Sequence, residues 1–117
     1  MLDRRDDLIV SGGENVYPAE IEAVLLEHPS VMDAGVAGIA DPDLGARVVA
    51  WVVVAPGASL SAVELQQHCR QRLAGFKQPR AYRFVDALPR NAAGKLQRRL
   101  LGPDYAGGPG ASRTWGA

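Results

Sequence analysis

The sequence predicts one small α+β domain, in which a mostly antiparallel sheet is packed with helices and preceded by a short two-stranded hairpin. Its 117 residues are enough for a single domain with a sizeable core. The run from Val48 to Ala55 is apolar almost throughout, as in a strand that is covered on both faces. Two further segments carry apolar residues at helical spacing, and they lie between runs that are typical of strands.

The chain opens with a predicted hairpin and a predicted helix. Residues 8–10 and 15–17 are short strand-like runs on either side of a Ser-Gly-Gly turn. Pro18 suits the first position of a helix, where a missing N–H costs nothing, and Pro29 ends that helix. The apolar stripe of this helix consists of Ile21, Val24 and Leu25.

The middle of the chain predicts two strands and a second helix. Residues 31–39 and 48–55 are rich in small and branched apolar residues, and the turn-forming residues 41–45 between them favour antiparallel pairing. Ser61 and Glu64 have the spacing of a capping box, in which each side chain satisfies an exposed backbone N–H at the helix start. The stripe of this second helix consists of Leu65, Cys69 and Leu73.

The last third of the chain predicts shorter elements. Residues 75–79 form a loop, 82–85 a final strand, 88–94 a turn-rich connection and 95–101 a short helix. From residue 102 the composition shifts to glycine and small polar residues. We therefore expect residues 102–117 to form a flexible tail.

Composition restricts the possible functions. A formal net charge of zero argues against nucleic-acid binding, and no apolar run reaches the roughly 18 residues of a membrane span. Because the single cysteine, Cys69, cannot form an intramolecular disulfide, and because no secretory signal opens the chain, we expect a cytoplasmic setting. His28 and His68 have no further ligand at helical spacing, so we expect no metal site.

Cations concentrate in the later part of the chain. Residues 77–99 contain seven lysines and arginines, against one acidic residue, Asp86. Such a zone on a neutral domain suits a small polyanion such as a nucleotide or CoA, and it equally describes a solvated surface with scattered cations. The seven are Lys77, Arg80, Arg83, Arg90, Lys95, Arg98 and Arg99.

Three segments carry more polar and conformationally special residues than packing alone requires. The glycine pair in residues 11–18 allows a close approach to a ligand or to another domain, or simply turns a hairpin. In residues 75–80 an aromatic ring beside two cations could stack on a base and pair with phosphates, or the ring is buried in an ordinary loop. Residues 88–95 end in Lys95, which either reaches another domain's active site or is an ordinary exposed lysine.

Taken in order, these segments resemble one family. Residues 3–22, Asp-Arg-Arg-Asp-Asp-Leu-Ile-Val-Ser-Gly-Gly-Glu-Asn-Val-Tyr-Pro-Ala-Glu-Ile-Glu, are similar to the opening of the C-terminal domain of AMP-forming acyl-CoA synthetases. These enzymes belong to the adenylate-forming superfamily, which also contains luciferases and nonribosomal-peptide adenylation domains. The resemblance implies an AMP-binding C-terminal (lid) domain over residues 3–101. It continues through His28-Pro29, Asp41-Pro42-Asp43-Leu44-Gly45, Phe76-Lys77-Gln78-Pro79 and Leu88-Pro89-Arg90-Asn91-Ala92-Ala93-Gly94-Lys95.

The resemblance implies roles in a two-step reaction. In the first step a carboxylic acid attacks ATP, and Lys95 matches the lysine that contacts the acid carboxylate and the phosphate. Asp6 matches the hinge about which the small domain rotates between the steps, and Arg4 matches an arginine that approaches the ribose of the nucleotide. In the second step the CoA thiol displaces AMP from the acyl-adenylate.

For the second step, the resemblance implies a different set of residues. Gly12, Gly13 and Glu14 match the loop that enters the active site and lines the pantetheine channel. Leu44 stands where some members carry an aromatic residue, so the sequence does not predict stacking there. The resemblance also implies possible CoA contacts at Phe76, near the adenine, and at Lys77 and Arg80, near the phosphates.

The implied function is that of the lid of an ATP-dependent ligase, which joins a fatty-acid-like carboxylic acid to CoA. ATP with magnesium and CoA are then substrates of the complete enzyme, and this domain binds none of them tightly alone. The partner is a large N-terminal adenylation domain, in cis or in trans, without which no acyl-adenylate is expected. Carrier protein is the alternative acceptor. The alternative functions are a stand-alone module that binds CoA, a nucleotide or a protein, and an inactive truncated relic.

Overall fold

The structure, a computed structural model, describes residues 7–105 and the backbone of residues 113–115. It confirms the predicted α+β fold. The described chain includes the 3-10 turns Gly75–Lys77 and Arg98–Leu100. In chain order the main elements are β1 (Ile9–Ser11), β2 (Glu14–Val16), α1 (Pro18–Leu26), β3 (Val31–Asp41), β4 (Gly45–Val54), α2 (Ala62–Arg70), β5 (Ala81–Phe84) and β6 (Arg113–Trp115).

The strands form a hairpin and a separate four-stranded sheet. The hairpin pairs β1 with β2 in antiparallel fashion, as predicted. The sheet has the order β3-β4-β5-β6, and only the pairing of β4 with β5 is parallel. The sequence predicts a tail after residue 101. Within that segment Arg113–Trp115 form β6, whose backbone pairs with that of β5.

Strand β4 runs through the centre of the domain and is covered on both faces, as its apolar composition predicts. Its residues alternate between two cores, because successive side chains of a strand point to opposite faces. The core on the helix side contains the even-numbered residues Val48, Ala50 and Val52, with α1 and α2 packed over them. The core on the opposite side contains Val49, Trp51 and Val53, with Leu88 and Leu101 from the chain after β5.

The two helices begin and pack as their sequences predict. Pro18 opens α1, and Ile21 and Leu25 of its stripe are fully buried. At the start of α2, Ser61 Oγ accepts from the Glu64 N–H at 3.2 Å while Glu64 Oε1 accepts from the Ser61 N–H at 3.1 Å. This reciprocal capping box is confirmed. Each helix has nine residues, and in the described part of the chain no helix is long and apolar enough to cross a membrane.

The prediction of a short helix over residues 95–101 is wrong for most of that segment. Leu96 pairs with Arg90 in an isolated bridge, and only Arg98–Leu100 form a 3-10 turn. Tertiary packing explains the difference. A Cβ atom at Gly35 of β3 would lie 3.0 Å from Leu101 Cδ1 and 3.3 Å from Leu96 Cδ2, so the segment lies directly against β3 where that strand has no side chain.

Candidate functional site

Lys95 stands at the tip of a narrow hairpin that follows β5. The bridge between Arg90 and Leu96 closes this hairpin. At its tip Gly94 takes a φ of 83°, a left-handed conformation that glycine adopts without strain. Lys95 follows directly and is exposed. The local fold therefore presents the lysine at the surface on a short and defined turn.

The side chain of Asn91 fixes the backbone of this turn. Asn91 Oδ1 accepts hydrogen bonds from the N–H groups of Ala93 and Lys95, each at 3.0 Å. The Asn91 N–H donates to the Lys95 carbonyl oxygen at 3.0 Å. Asn91 thus binds the backbone of Lys95 through its side-chain oxygen and its own backbone N–H, and such side-chain bonding to the backbone favours asparagine in turns.

Arg90 ties the same turn to the sheet. Its Nη1 donates to the Gly94 carbonyl oxygen at 2.8 Å, and its guanidinium forms a two-pronged ion pair with Asp33 of β3, at 2.7 and 3.1 Å. The hydrogen bond to Asp33 raises the pKa of Arg90, so this guanidinium remains charged. The Lys95 turn is therefore anchored near the start of β3.

A cleft of about 480 Å³ opens beside Lys95. Strand β1 and the residues just before it, strands β3 and β4, and the segment from 95 to 99 all contribute to its lining. The cleft combines a small apolar surface with amide and cationic groups. Its lining includes Asp7, Ile9, Gly38, Ala46, Asn91, Lys95 and Arg99.

The glycine hairpin forms a second exposed loop. Gly12 and Gly13 have φ angles of 59° and 83°, which side-chain-bearing residues rarely adopt. The Gly12 N–H donates to the Leu44 carbonyl oxygen at 2.9 Å in the turn between β3 and β4. A Cβ at Gly13 would meet nothing within 4 Å, so space remains there for another molecule. Glu14 follows and is exposed.

Asp41 shapes the turn on which the glycine hairpin rests. Its Oδ1 accepts from the N–H groups of Leu44 at 2.9 Å and Asp43 at 2.8 Å. These two bonds, the one from Leu44 first, lower the pKa of Asp41 below its ordinary value of 3.8. The chain of contacts thus runs from the Asp41 carboxylate through Leu44 to the backbone of Gly12.

The loop after α2 contains the possible CoA contacts. Phe76 is 42% exposed, so its ring is accessible and not the buried phenylalanine of the alternative interpretation. Lys77 Nζ lies 5.6 Å from the centre of that ring and 3.0 Å from Glu20 in an ion pair. Gln78 Nε2 donates to the carbonyl oxygens of Cys69, in the last turn of α2, and of Leu73, just after the helix. Arg80 is exposed directly before β5.

These loops belong to two parts of the domain. Strand β2 of the glycine hairpin contacts the 3-10 turn that carries Phe76 and Lys77, so the structure brings those two segments together. The glycine hairpin rests on the turn after Asp41, whereas the Lys95 turn is anchored at Asp33. The two anchors are eight residues apart along β3, or roughly 26 Å at about 3.3 Å per residue. The glycine hairpin and the Lys95 turn therefore have separate anchors on β3, although β1 and Lys95 both line the cleft.

A network of charged residues, which the sequence analysis did not single out, lies beside the cleft. Arg98 Nη1 donates to Asp7 Oδ2 at 2.8 Å, and its Nη2 and Nε donate to the two carboxylate oxygens of Glu22 at 2.7 and 3.0 Å. Glu22 also accepts from the Val36 N–H at 2.9 Å. The pairs are separated by 91 and 76 residues in the sequence. The only sequence signal was the membership of Arg98 in the basic zone.

The remaining sequence predictions concern Arg4 and Asp6, a metal site, and the side chains of His68 and Cys69. Arg4 and Asp6 lie outside the described residues. Among the residues that the structure describes, no group of three histidine, cysteine, aspartate or glutamate side chains could hold a metal ion. His68 Nε2 lies 2.7 Å from the Val24 carbonyl oxygen, in a packing role. Burial raises the pKa of the Cys69 thiol, which is fully buried and thus suited to the core rather than to nucleophilic chemistry.

The chain is similar to the C-terminal segments of known CoA ligases. A model of the AMP-binding enzyme C-terminal domain matches residues 20–95. The chain is 56% identical over 101 residues to the 2-succinylbenzoate–CoA ligase of Geobacillus kaustophilus and 52% identical to that of Bacillus licheniformis. Each match covers 86% of this chain and 21% of the relative. The chain thus spans about a fifth of the length of these relatives.

Solved structures agree with the sequence matches. A double mutant of the o-succinylbenzoate CoA synthetase of Bacillus subtilis, bound to a product analogue, is 46% identical with a TM-score of 0.81; the match covers 98% of this chain and 22% of the synthetase. The same synthetase with its acyl-adenylate intermediate is 51% identical over 84% of this chain and 20% of its own, with a TM-score of 0.80. A fatty acyl CoA synthetase of Mycobacterium tuberculosis is 41% identical over 85% of this chain and 20% of its own, with a TM-score of 0.80.

The family model covers well over half of the chain, and it includes the segment from α1 to the Lys95 turn. The match ends at Lys95, and the glycine hairpin lies before its first residue. The chain belongs to the family of AMP-binding enzyme C-terminal domains, within the adenylate-forming superfamily.

Proposed function

We propose that this chain is the lid domain of an ATP-dependent carboxylic acid–CoA ligase, in which Lys95 acts in adenylation and the glycine hairpin acts in thioester formation. The observation that carries the proposal is the presentation of Lys95. A solvent-exposed lysine is common, but this one is held by Asn91 and Arg90 at the tip of a defined turn. A turn fixed in this way can place a charge in the active site of another domain.

In the first step Lys95 supplies a positive charge. When the acid carboxylate attacks the α-phosphate of ATP, negative charge develops on the phosphate oxygens as pyrophosphate leaves. An ammonium group close to the carboxylate and the phosphate stabilises that charge more strongly in the transition state than in the ground state. Lysine suits this role because its ammonium is a compact point charge on a long stem.

In the second step the glycine hairpin lines the path of the CoA thiol. Because Gly12 and Gly13 carry no side chains, the pantetheine chain can pass along their backbone, and the space beside Gly13 is open. Phe76 and Arg80, both exposed, are proposed to contact the adenine and the phosphates. Lys77 is the weaker contact of the three, because Glu20 already holds its ammonium.

The ATP site and the acid site are proposed to lie in a large adenylation domain of the same polypeptide. The chain spans only about a fifth of its relatives, which supports this arrangement. Magnesium would accompany ATP in that domain. Asp6 as the hinge and Arg4 as a ribose contact stay predictions, as does the cytoplasmic setting. The stand-alone module and the inactive relic are not favoured, because the segments for both steps are intact.

The acid is proposed to be 2-succinylbenzoate rather than a fatty acid. The resemblance implies a fatty-acid-like acid, but the relatives at 52% and 56% identity are 2-succinylbenzoate–CoA ligases. The fatty acyl CoA synthetase is less similar, at 41%. Since no acid pocket is assigned to this chain, the choice rests on the relatives alone.

A chimeric enzyme tests the proposal. This chain replaces the matching C-terminal segment of the Bacillus subtilis synthetase, and Lys95→Ala is compared with Arg70→Ala, which removes an exposed cation at the end of α2. We expect Lys95→Ala to slow pyrophosphate release by about 100-fold or more, because transition-state charge stabilisation of this kind contributes about 10²–10³-fold. Arg70→Ala should retain the rate of the unmodified chimera.

The second half-reaction is measured separately. When the chimera receives pre-formed acyl-adenylate and CoA, Lys95→Ala should form thioester at close to the unmodified rate. An equal loss in both half-reactions would contradict the role of Lys95. A folded chimera that forms no adenylate from 2-succinylbenzoate or from a fatty acid would contradict the ligase function itself, as expected of an interaction module.

A further inference from the structure

We infer that Arg98 is a positioning residue: it locks the chain that leaves the hinge to the segment that carries Lys95, and so sets where the lysine arrives when the domain rotates. This inference rests on the proposed function and names residues beyond it. Arg98 follows Lys95 by three positions, and Asp7 is next to the proposed hinge residue. The structure joins the two through one guanidinium.

The geometry of this clamp is specific to arginine. The Nη2 and Nε of Arg98 bind both carboxylate oxygens of Glu22, at 2.7 and 3.0 Å, which is the fork arrangement of a planar guanidinium. The remaining Nη1 binds Asp7 at 2.8 Å. A lysine ammonium has three N–H donors, but all of them leave one nitrogen, so it cannot reproduce a planar fork in which three nitrogens bind two carboxylates.

The clamp also reaches the body of the domain. Glu22 lies in α1, and its carboxylate accepts the backbone N–H of Val36 in β3 at 2.9 Å. The side chains are only partly accessible: Arg98 is 17% exposed, Glu22 12% and Asp7 24%. Ion pairs that are shielded from water to this degree are screened less by salt and hold a more definite geometry than exposed ones.

The contribution of Asp7 separates positioning from simple stabilisation. Asp7 precedes β1 and belongs to neither core of the domain. Its bond to Arg98 contributes no apolar packing, and it fixes the direction in which the chain enters the domain. When the domain rotates about the proposed hinge at Asp6, any variation in the direction of the chain at Asp7 displaces Lys95. A displacement of a catalytic group by about 1 Å can reduce the reaction rate by about 10²-fold.

The experiment uses the same chimeric ligase with three variants: Asp7→Ala, Arg98→Met and the double variant. Single-turnover adenylation, the KM values for ATP and for 2-succinylbenzoate, and the melting temperature are measured. Arg72→Met is the matched control, because Arg72 forms a more exposed ion pair with Glu27 elsewhere on the domain. We expect Asp7→Ala to slow adenylation by about 10- to 100-fold, with both KM values within about twofold, since both substrates bind in the large domain.

The double variant shows whether the two residues act together. If Asp7 acts through Arg98, the double variant should be no slower than Arg98→Met alone, because residues in one network do not act additively. Asp7→Ala with the full adenylation rate would overturn the inference. So would a rate loss that is accompanied by a lower melting temperature and higher KM values, since that pattern indicates a purely structural role.

The two proposals fail in different ways. If Lys95→Ala retains adenylation, the proposed function is wrong irrespective of Arg98. If Lys95→Ala abolishes adenylation while Asp7→Ala, Arg98→Met and Arg72→Met all retain it, the proposed function holds and only the clamp is refuted. Should Arg98→Met fail to fold, Asp7→Ala alone decides the question, because its removal leaves the bonds between Arg98 and Glu22 intact.

Discussion

At the scale of single residues, the carboxylate of Asp41 supports the glycine hairpin indirectly, through the turn between β3 and β4. It binds the backbone N–H groups of Asp43 and Leu44, and the Leu44 carbonyl in turn binds the Gly12 N–H of the proposed thioester loop. Because hydrogen bonds to an ionised carboxylate are stronger than those to a neutral oxygen, the turn should depend on the charge of Asp41. This dependence makes the thioester side of the domain sensitive to acid.

The sign of the acid effect follows from the direction of the pKa shift. The pKa of Asp41 in the folded chain lies below its ordinary value of 3.8. Its charge therefore stabilises the fold fully above pH 3.8, and this contribution is lost as the pH falls through the lower, folded-state pKa. We expect Asp41→Asn to lower the melting temperature at pH 7, and we expect the difference from the unmodified chain to vanish at the most acidic pH values. Circular dichroism melts from pH 7 to pH 2 measure it.

Asp43→Asn is the control for this prediction, because it changes a neighbouring carboxylate but leaves both backbone donors to Asp41 in place. A difference between Asp41→Asn and the unmodified chain that stays constant down to the lowest pH would contradict the assignment. It would show that the amide and the carboxylate differ in packing rather than in charge.

Residues also show the limit of sequence prediction. Lys95 and the pair Gly12-Gly13 were predicted because each lies in a local motif, and their assigned roles stay predictions. Arg98 was not singled out, because its partners Asp7 and Glu22 are 91 and 76 positions away. No local pattern distinguishes a clamped arginine from a solvated one, since the pairing is created only when distant segments meet.

At the scale of elements, α2 shows how a local signal fixes a helix and a distant side chain completes it. The capping box satisfies its first N–H groups, and Gln78 Nε2 donates to the carbonyl oxygens of Cys69 and Leu73, at 2.9 and 2.8 Å. The sequence predicts the first feature from the spacing of Ser61 and Glu64. It could not predict the second, because a glutamine in a loop has no fixed partner in the sequence.

The capping box leads to a stability prediction for the isolated chain. Ser61→Ala removes the oxygen that accepts the Glu64 N–H at 3.2 Å, and the loss of such a cap lowers the free energy of unfolding by about 1 kcal/mol. Ser59→Ala is the matched control, because Ser59 is exposed and precedes the helix; its effect should stay within about 0.5 kcal/mol. Urea titration measures both. Equal effects of the two variants would contradict the capping role.

Residues 95–101 do not form the helix that the sequence predicts, and the reason lies in how this element packs. Its intrinsic preference for helix is overridden by three tertiary contacts: the bridge from Leu96 to Arg90, the clamp on Arg98, and the packing of Leu101 over Gly35. A bridge at Leu96 followed by a single 3-10 turn places all three side chains where they are used, whereas a continuous helix would turn them to different faces. Helix propensity is a weak prior where such contacts compete with it.

At the scale of the whole molecule, the sheet separates two cores, each of which lies below a different part of the proposed site. The helix-side core lies below the glycine hairpin and includes Ile9 and Val16 from its two strands. The opposite core lies below the Lys95 segment and includes Trp51, Leu88 and Leu101. Because β4 contributes to both, a strand predicted from composition alone turns out to support both parts of the proposed site.

The second core makes the end of the lysine segment essential to the fold. Leu101 is 3% exposed, and it packs over Gly35, whereas its neighbour Leu100 is 45% exposed. We expect Leu101→Ala to lower the free energy of unfolding by about 2–5 kcal/mol, as for other buried leucines, and Leu100→Ala to change it by less than about 0.5 kcal/mol. Urea unfolding followed by tryptophan fluorescence measures both. Equal costs would show that the core does not extend to residue 101; a large difference would mean that the chain beyond the lysine is part of the support that holds it in position.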